Sequence, residues 1–311
     1  MVPPEPPPAA RPDNAALFAK WEAAQKRHLA GELEAARAAM AEVLAADPGN
    51  YDLAKSMARW LAEVRSDFVG AEPFVRRAAE LKPEAIDTLH LLGSTLTMCG
   101  KANEAEATFR ATCERVPGDA KLWFGLGVAC GQQRKYLEAR AAYDRALALE
   151  PENGLTLFSS GENHANLRDY AAAERAFAAS AKLKGHDDAL WRLGDVLARQ
   201  GKDEAAEKVL RQALPHGSKL ARFQAALQLG MFLVERDRSA EALPLLIQAT
   251  DERPTSREAW RWLARAQRAQ GKRDAAARSM ARAQELRAEE DRLEEELLLG
   301  LIRAQLEGGG R

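Results

Sequence analysis

Residues 120–151 read AKLWFGLGVACGQQRKYLEARAAYDRALALEP, and this stretch contains two apolar stripes separated by a short polar turn. The first stripe comprises Trp123, Leu126, Gly127 and Cys130, and the second comprises Ala139, Tyr143 and Ala146. Residues spaced three and four apart share one face of an α-helix. Pro151 would end the second helix, because proline has no N–H for the helical hydrogen bond. The stretch therefore predicts a pair of helices.

This pattern recurs along the chain with a spacing of 33 to 36 residues. Alanines recur at positions 36, 71, 105, 139, 173, 206, 242 and 276, and glycines recur at positions 93, 127, 161, 194 and 230. Prolines at positions 48, 83, 117 and 151 follow the same period. Ladders in phase at one such period indicate a solenoid of stacked supersecondary units. The chain divides into eight repeats that begin near residues 17, 51, 86, 120, 154, 187, 223 and 257.

Small residues and turn residues predict how the two helices of a repeat meet. Gly127 and Ala139 lie where the paired helices would cross, and larger side chains there would force the backbones apart. Asn50, Asp119 and Asn153 precede first helices and are predicted to cap their N-termini. Glycines at positions 31, 100, 201 and 271 fall between the two helices of their repeats, where a left-handed residue ends the first helix at low cost.

The pattern Trp-x2-Leu-Gly, then Ala-x3-aromatic, then Pro resembles the tetratricopeptide repeat. The matching residues are Trp123, Leu126, Gly127, Ala139, Tyr143 and Pro151 in the fourth repeat, and Leu92, Gly93, Ala105, Phe109 and Pro117 in the third. The resemblance implies an all-α fold, a right-handed α–α superhelical solenoid over residues 14–287. The second repeat departs from the pattern, because it has one extra residue and carries Pro73 early in its second helix.

The two ends of the chain differ from the repeats. Residues 1–13 are rich in proline and are predicted to be a disordered tail, either a plain leader or a ligand for a proline-binding domain. Residues 288–311 are predicted to form a C-terminal amphipathic capping helix followed by a flexible glycine tail, because the last repeat of a solenoid exposes an apolar face. The alternative is a helix for a partner or for self-association.

Composition limits the class of protein. Hydrophobic residues make up 46% of the chain and charged residues 29%, with a net charge of -1, as in folded soluble proteins. The longest apolar run, residues 297–302, is too short to span a membrane. Three cysteines without a CxxC pair favour a reducing, cytoplasmic location. The alanine-rich composition, with more arginine than lysine, suggests a bacterial source.

Catalytic and metal-binding motifs are absent from the sequence. There is no Gly-x-Ser-x-Gly, Walker loop or HExxH motif, and no histidine pair lies four residues apart. His186 and His216 fall in successive loops between repeats, but no third metal ligand accompanies them. We therefore predict that the protein is not an enzyme, has no metal site and requires no cofactor.

The resemblance places the first helix of each repeat on the concave side of the solenoid, where partners bind. The predicted groove comprises Trp21, Lys55, Arg59, His90, Phe124, Val128, Phe158, Trp191, Leu227, Met231, Arg261, Arg265 and Arg268. In the middle repeats these positions are large and apolar, which is typical of a partner site. The alternative is that these rings pack against neighbouring first helices or against the chain's own C-terminal helix. The clamp of Lys, Asn and Arg that grips a C-terminal carboxylate in this family has no counterpart here.

Charge is concentrated near the C-terminus. Residues 253–287 carry ten basic and three acidic side chains, whereas residues 288–307 carry seven acidic and two basic ones. Arg257, Arg261, Arg265 and Arg268 share one helix face. The acidic segment could fold back and neutralise this face, or the face could stay open to an acidic peptide or a phosphate. A nucleic-acid partner is not expected.

The sequence therefore predicts a non-catalytic scaffold or adaptor that binds an apolar or amphipathic segment of a protein partner in its concave groove. Two alternatives remain open at this point. One is a recruiting subunit of an enzyme or of an assembly or secretion complex. The other is a structural protein that self-associates through its C-terminal helix.

Overall fold

The computed structural model describes residues 14–215 and 218–308, and within these residues all regular structure is helical. The chain forms two compact blocks, Met1–Pro151 and Glu152–Arg311, which we call the N-terminal and C-terminal blocks. The N-terminal block contains α1 (Asn14–Leu29), α2 (Leu33–Ala46), α3 (Tyr51–Arg59), α4 (Phe68–Leu81), α5 (Ile86–Met98), α6 (Ala102–Arg115), α7 (Ala120–Gln132) and α8 (Tyr136–Leu149). The C-terminal block contains α9 (Gly154–Asn166), α10 (Tyr170–Ala181), α11 (Ala189–Arg199), α12 (Asp203–Ala213), α13 (Lys219–Glu235), α14 (Ser239–Glu252), α15 (Arg257–Ala269) and α16 (Arg273–Gly308).

These helices form the predicted pairs. Within each block, the two helices of a repeat pack against each other, and the second helix of a repeat packs against the first helix of the next. First helices also contact one another, as α5 contacts α7 and α11 contacts α13. The predicted caps are confirmed, because Asn50, Asp119 and Asn153 each accept a hydrogen bond from a backbone N–H in the first turn that follows.

Every turn inside a described repeat contains one residue in the left-handed conformation. Four of these are the predicted glycines at positions 31, 100, 201 and 271. At the equivalent positions the other repeats place Ser66, Arg134, Arg168 and Asp237, with φ between 56° and 59°. The backbone geometry of the turn is therefore kept even where the side chain makes it less favourable.

The glycine ladder lets a large residue of the second helix approach the first helix. A Cβ atom added to Gly127 would lie 2.5 Å from the ring of Tyr143, which follows Ala139 by four residues. The residue opposite Gly127 is thus Tyr143, and Ala139 is fully buried one turn before it. In the third repeat, Phe109 fits between two glycines, Gly93 of the same repeat and Gly125 of the next.

The extra residue of the second repeat is accommodated by a π-helical turn. This turn, Trp60–Val64, continues α3, and π turns are a common way to insert one residue into a helix. Pro73 is the sixth residue of α4 and does not end the helix.

The C-terminal segment differs from the sequence prediction. Helix α16 runs without a break from Arg273 to Gly308, so residues 288–308 continue the second helix of the last repeat and do not form a separate helix. The physical reason is that residues 273–299 contain neither glycine nor proline, so nothing ends the helix after residue 287. The predicted proline-rich tail, the glycine tail at 309–311 and His216 lie outside the described residues.

Candidate functional site

Two of the predicted groove residues are core residues. Leu227 is 2% exposed, and Trp21 is 9% exposed with its ring edge-on to Trp60 at a centroid distance of 5.6 Å. Helical phase assigns both to the partner-binding side, but neighbouring helices cover them. Both side chains therefore leave little surface for a partner, which argues against their place in the predicted groove.

The two cations predicted in the second repeat already have acidic partners. Lys55 forms an ion pair with Asp87 of the next first helix, and this hydrogen bond raises the pKa of Lys55. Arg59 lies 3.5 Å from the carboxylate of Glu63. His90 packs edge-on against Phe109 at 6.1 Å, and burial lowers the pKa of its imidazole. Lys55 therefore joins the second repeat to the third, whereas Arg59 pairs within its own repeat.

The aromatic side chains of the middle repeats are half-buried. Phe124 packs on Tyr143 with 6.2 Å between ring centroids, and Phe158 packs on Phe177 at 5.5 Å. Val128 is also half-buried, one helical turn after Phe124. Each ring therefore packs on a second-helix ring of its own repeat and keeps part of its surface accessible.

The first helices of the C-terminal block combine apolar and charged groups. The indole of Trp191 is half-buried, and the guanidinium of Arg192 lies 4.2 Å from the centroid of this ring. Arg192 also pairs with Glu162 of the preceding first helix at 2.5 Å. Burial raises the pKa of Glu162, and the charge of Arg192 opposes this rise. Met231 lines a cleft of about 230 Å³ between α11 and α13.

The predicted arginines of the last repeat surround one pocket. It has a volume of about 610 Å³, and its lining residues are Arg257, Glu258, Arg261, Trp262, Arg265, Arg268 and Met280. We call this the arginine pocket. The guanidinium of Arg265 lies 4.8 Å from the centre of the Trp262 ring. Arg257 pairs with Glu290 at 3.3 Å, whereas no described acidic side chain pairs with Arg261, Arg265 or Arg268.

A ladder of ion pairs between successive second helices was missed in the sequence analysis. The carboxylate of Glu106 accepts hydrogen bonds from Lys135 and Arg110, both at 2.7 Å, and these bonds lower its pKa to about 2. Equivalent pairs are Glu72 with Lys101, Glu174 with Lys202 and Glu207 with Arg238. The signal was present in the sequence, because these acids and bases recur at the repeat period.

One cluster in this ladder has the composition of a metal site. Ligand atoms of Glu106, Cys130 and Glu138 lie within 4.8 Å of one another. However, Glu106 is already bonded to Lys135 and Arg110, and Glu138 to Arg110. Burial raises the pKa of the Cys130 thiol to about 11, so the thiolate that a metal needs is disfavoured. The arrangement fits an ion-pair network better than a metal site.

A second polar network joins the first two repeats. The carboxylate of Asp67 is bonded to Arg37 and His28, with 3.0 Å from Oδ2 to each nitrogen, and caps α4 at Gly70 N–H. Burial alone would raise the pKa of Asp67, but these hydrogen bonds outweigh it and lower the pKa to about 2. Asp67 occupies the repeat position that holds Lys101 and Lys135 in the next two repeats. The junction between the first two repeats therefore has a negative charge where the next two junctions have a positive one.

The comparison with known families agrees with this architecture. Tetratricopeptide repeat profiles match residues 120–153, 158–225 and 227–291, which together make up more than half of the chain. The chain belongs to the tetratricopeptide repeat family. Repeats of this family generally mediate protein–protein interactions. None of the helices described here has the length and apolarity that crossing a membrane requires.

Solved tetratricopeptide repeat proteins share the fold. A tetratricopeptide repeat protein from Parabacteroides merdae superposes with a TM-score of 0.59 at 16% identity, covering 76% of this chain and 93% of that one. Yeast Tom70 also gives a TM-score of 0.59 at 16% identity, covering 88% of this chain and 59% of Tom70. Human tetratricopeptide repeat protein 21A is 31% identical over 108 residues, which make up 35% of this chain and only 8% of that relative.

Proposed function

We propose that this tetratricopeptide repeat protein is a non-catalytic interaction scaffold whose first helices bind an apolar or amphipathic segment of a partner protein. The observation that carries the proposal is the set of half-buried apolar side chains that the first helices present. They are Phe124 and Val128 in the N-terminal block, and Phe158, Trp191 and Met231 in the C-terminal block. Solenoids of this kind use such surfaces for binding.

Half-buried rings are suited to this role for an energetic reason. Their inner surfaces are fixed by packing, as Phe158 is by Phe177, so little conformational entropy is lost when a partner covers the outer surface. Truncating an aromatic side chain at the centre of an interface typically costs about 2 kcal/mol of binding free energy or more. We therefore assign the largest contribution to Phe158 and Trp191.

Charge would orient the bound segment. Lys55 already pairs with Asp87 of the next repeat and Arg59 with Glu63 of its own, so we assign them a minor role. The arginine pocket offers Arg261, Arg265 and Arg268 to acidic residues, because no described acidic side chain neutralises them. An amphipathic segment with acidic residues beside its apolar face fits both features.

The test is affinity purification from the native cell with tagged wild-type protein and the double variant Phe158→Ala/Trp191→Ala. We expect the variant to lose the partners that the wild type retains. The matched control is Ile247→Ala, which removes an equally apolar side chain that is 46% exposed on the second helix α14. Circular dichroism establishes that both variants stay folded. If the double variant keeps every partner, the first helices are not the binding surface.

A further inference from the structure

The last repeat leaves open a surface that the inner repeats cover. The residue four positions after the ladder alanine is buried in the first seven repeats, as Phe109, Phe177 and Leu246 illustrate. In the last repeat this residue is Met280, which is half-buried and lines the arginine pocket. Inside each block, the next first helix covers this place, as α7 covers Phe109 through Gly125. The arginine pocket therefore lies where another first helix would pack.

The arginines stand at positions that contact the following helix in inner repeats. Arg265 is equivalent to Glu162, which pairs with Arg192 of the next first helix. Arg268 is equivalent to Thr97, whose carbonyl accepts a hydrogen bond from Gln132 of the next first helix at 3.3 Å. A helix docked in this pocket would thus meet guanidinium groups, and acidic side chains on that helix would complement them.

The acidic end of α16 belongs to the same chain but runs away from Arg265 and Arg268 of this pocket. Helices α15 and α16 are joined by a short turn and pack as a pair, with Glu290 against Arg257 in the first turn of α15. Residues 291–308, which we call the extension, therefore continue past the N-terminal end of α15. Arg268 lies near the opposite end of α15, so a continuous α16 carries the extension away from it.

The extension has the properties of a docking helix. It is 18 residues long by the bounds of α16, or about 27 Å at 1.5 Å per residue, longer than the 13-residue first helix α15. Leu293 and Leu299 are 60% and 48% exposed. Glu294 and Glu295 are exposed, and no described basic side chain pairs with them. Its acidic character opposes the net charge of +7 on residues 253–287.

We infer that the arginine pocket binds the extension of a second copy of this chain, so that two copies exchange extensions and form a dimer. The inference rests on the proposed role of the arginine pocket in binding acidic segments. A second copy is favoured over another acidic helix because both complementary surfaces are on this chain. Each docked extension takes the place of the missing next first helix, and the same contact is made twice in the dimer.

The test is sedimentation velocity of the full chain over a wide concentration range at low ionic strength. We expect a dimer with twice the chain mass of 34.1 kDa that dissociates as salt is added, because salt screens the charge pairs. Arg265→Glu/Arg268→Glu and, separately, Glu294→Lys/Glu295→Lys should each weaken the dimer by about tenfold or more. The control Arg273→Glu/Arg278→Glu changes exposed arginines outside the pocket and should leave the dimer intact.

Mixing the two charge-reversed variants gives the decisive measurement. In the mixed dimer both contacts again join opposite charges, so we expect dimerisation to return although each variant alone is monomeric. A chain that stays monomeric at every concentration overturns the inference, as does a mixture that stays monomeric.

A fluorescent peptide of residues 288–308, titrated into the full chain, separates this inference from the proposed function. One outcome is a wild-type chain that is monomeric and still binds the peptide, with Arg265→Glu/Arg268→Glu abolishing the binding. That result overturns the exchange of extensions but supports the arginine pocket as a site for acidic segments. A monomeric chain that does not bind the peptide overturns the exchange and the role of the arginine pocket, whereas the affinity purification tests the first-helix surface separately.

Discussion

The third and the last repeat place equivalent residues in opposite environments. Phe109 and Met280 both follow the ladder alanine by four positions, yet Phe109 is 1% exposed and Met280 is half-buried beside the arginine pocket. The difference arises from the neighbour, because Gly125 of the next repeat packs on Phe109 and no further repeat follows α16 in the described residues. A repeat position thus becomes part of the core only where another helix covers it.

The largest effect that we expect comes from truncating these two residues. Phe109→Ala should lower the free energy of unfolding by about 3–5 kcal/mol, because it leaves a cavity between two first helices. Met280→Ala should cost about 1 kcal/mol, since less surface is lost and the site is already open. Urea denaturation followed by circular dichroism measures both. Equal losses for the two variants would contradict the comparison.

A substitution of Asp67 tests how much the polar contacts between the first two repeats contribute to stability, compared with the apolar packing around Phe109. Asp67→Asn should lower the free energy of unfolding by about 2 kcal/mol near neutral pH, because it weakens charge-assisted hydrogen bonds to Arg37 and His28. The control is Asp169→Asn at the equivalent position, where the aspartate caps α10 and is not bonded to arginine. Asparagine is an equally good cap, so the control should be near neutral.

The effect of Asp67 also depends on pH with a definite sign. Its pKa is lowered from 3.8 to about 2 in the folded protein, so its ionised form stabilises the fold above about pH 4. This contribution is lost as the pH falls from about 4 towards 2. The stability difference between wild type and Asp67→Asn should therefore shrink across this window. Unfolding midpoints measured at several pH values test this, and a constant difference would exclude Asp67 as the cause.

The smallest effect on stability should come from the arginine pocket of the last repeat. Arg265→Ala/Arg268→Ala should change the free energy of unfolding of the single chain by less than about 0.5 kcal/mol, because exposed residues outside ion pairs contribute little. Urea denaturation in high salt, where pairing between copies is suppressed, checks this. A loss comparable to that of Asp67→Asn would show that these arginines stabilise their own repeat.

Sequence reasoning predicted the array well and the surface only in part. The periodic alanines, glycines and prolines predicted the eight repeats, and the capping residues predicted where first helices begin. Both features depend on contacts within about one repeat. Trp21 and Leu227 were misassigned, because helical phase indicates a face and not the neighbour that covers it. The Asp67 network was missed because it does not recur at the repeat period: Asp67 stands where the next two repeats carry lysine.

The sequence by itself determined the helix pairs, their period and the four left-handed turns that contain glycine, since each of these follows from local backbone preferences and from small residues at fixed spacing. Only the tertiary structure decided which side chains are covered. It buried Leu227, left the rings of Phe158 and Trp191 partly accessible, and kept the arginine pocket open. The physical reason is that burial depends on helices far apart in sequence, and at the last repeat it depends on the absence of a following helix among the described residues.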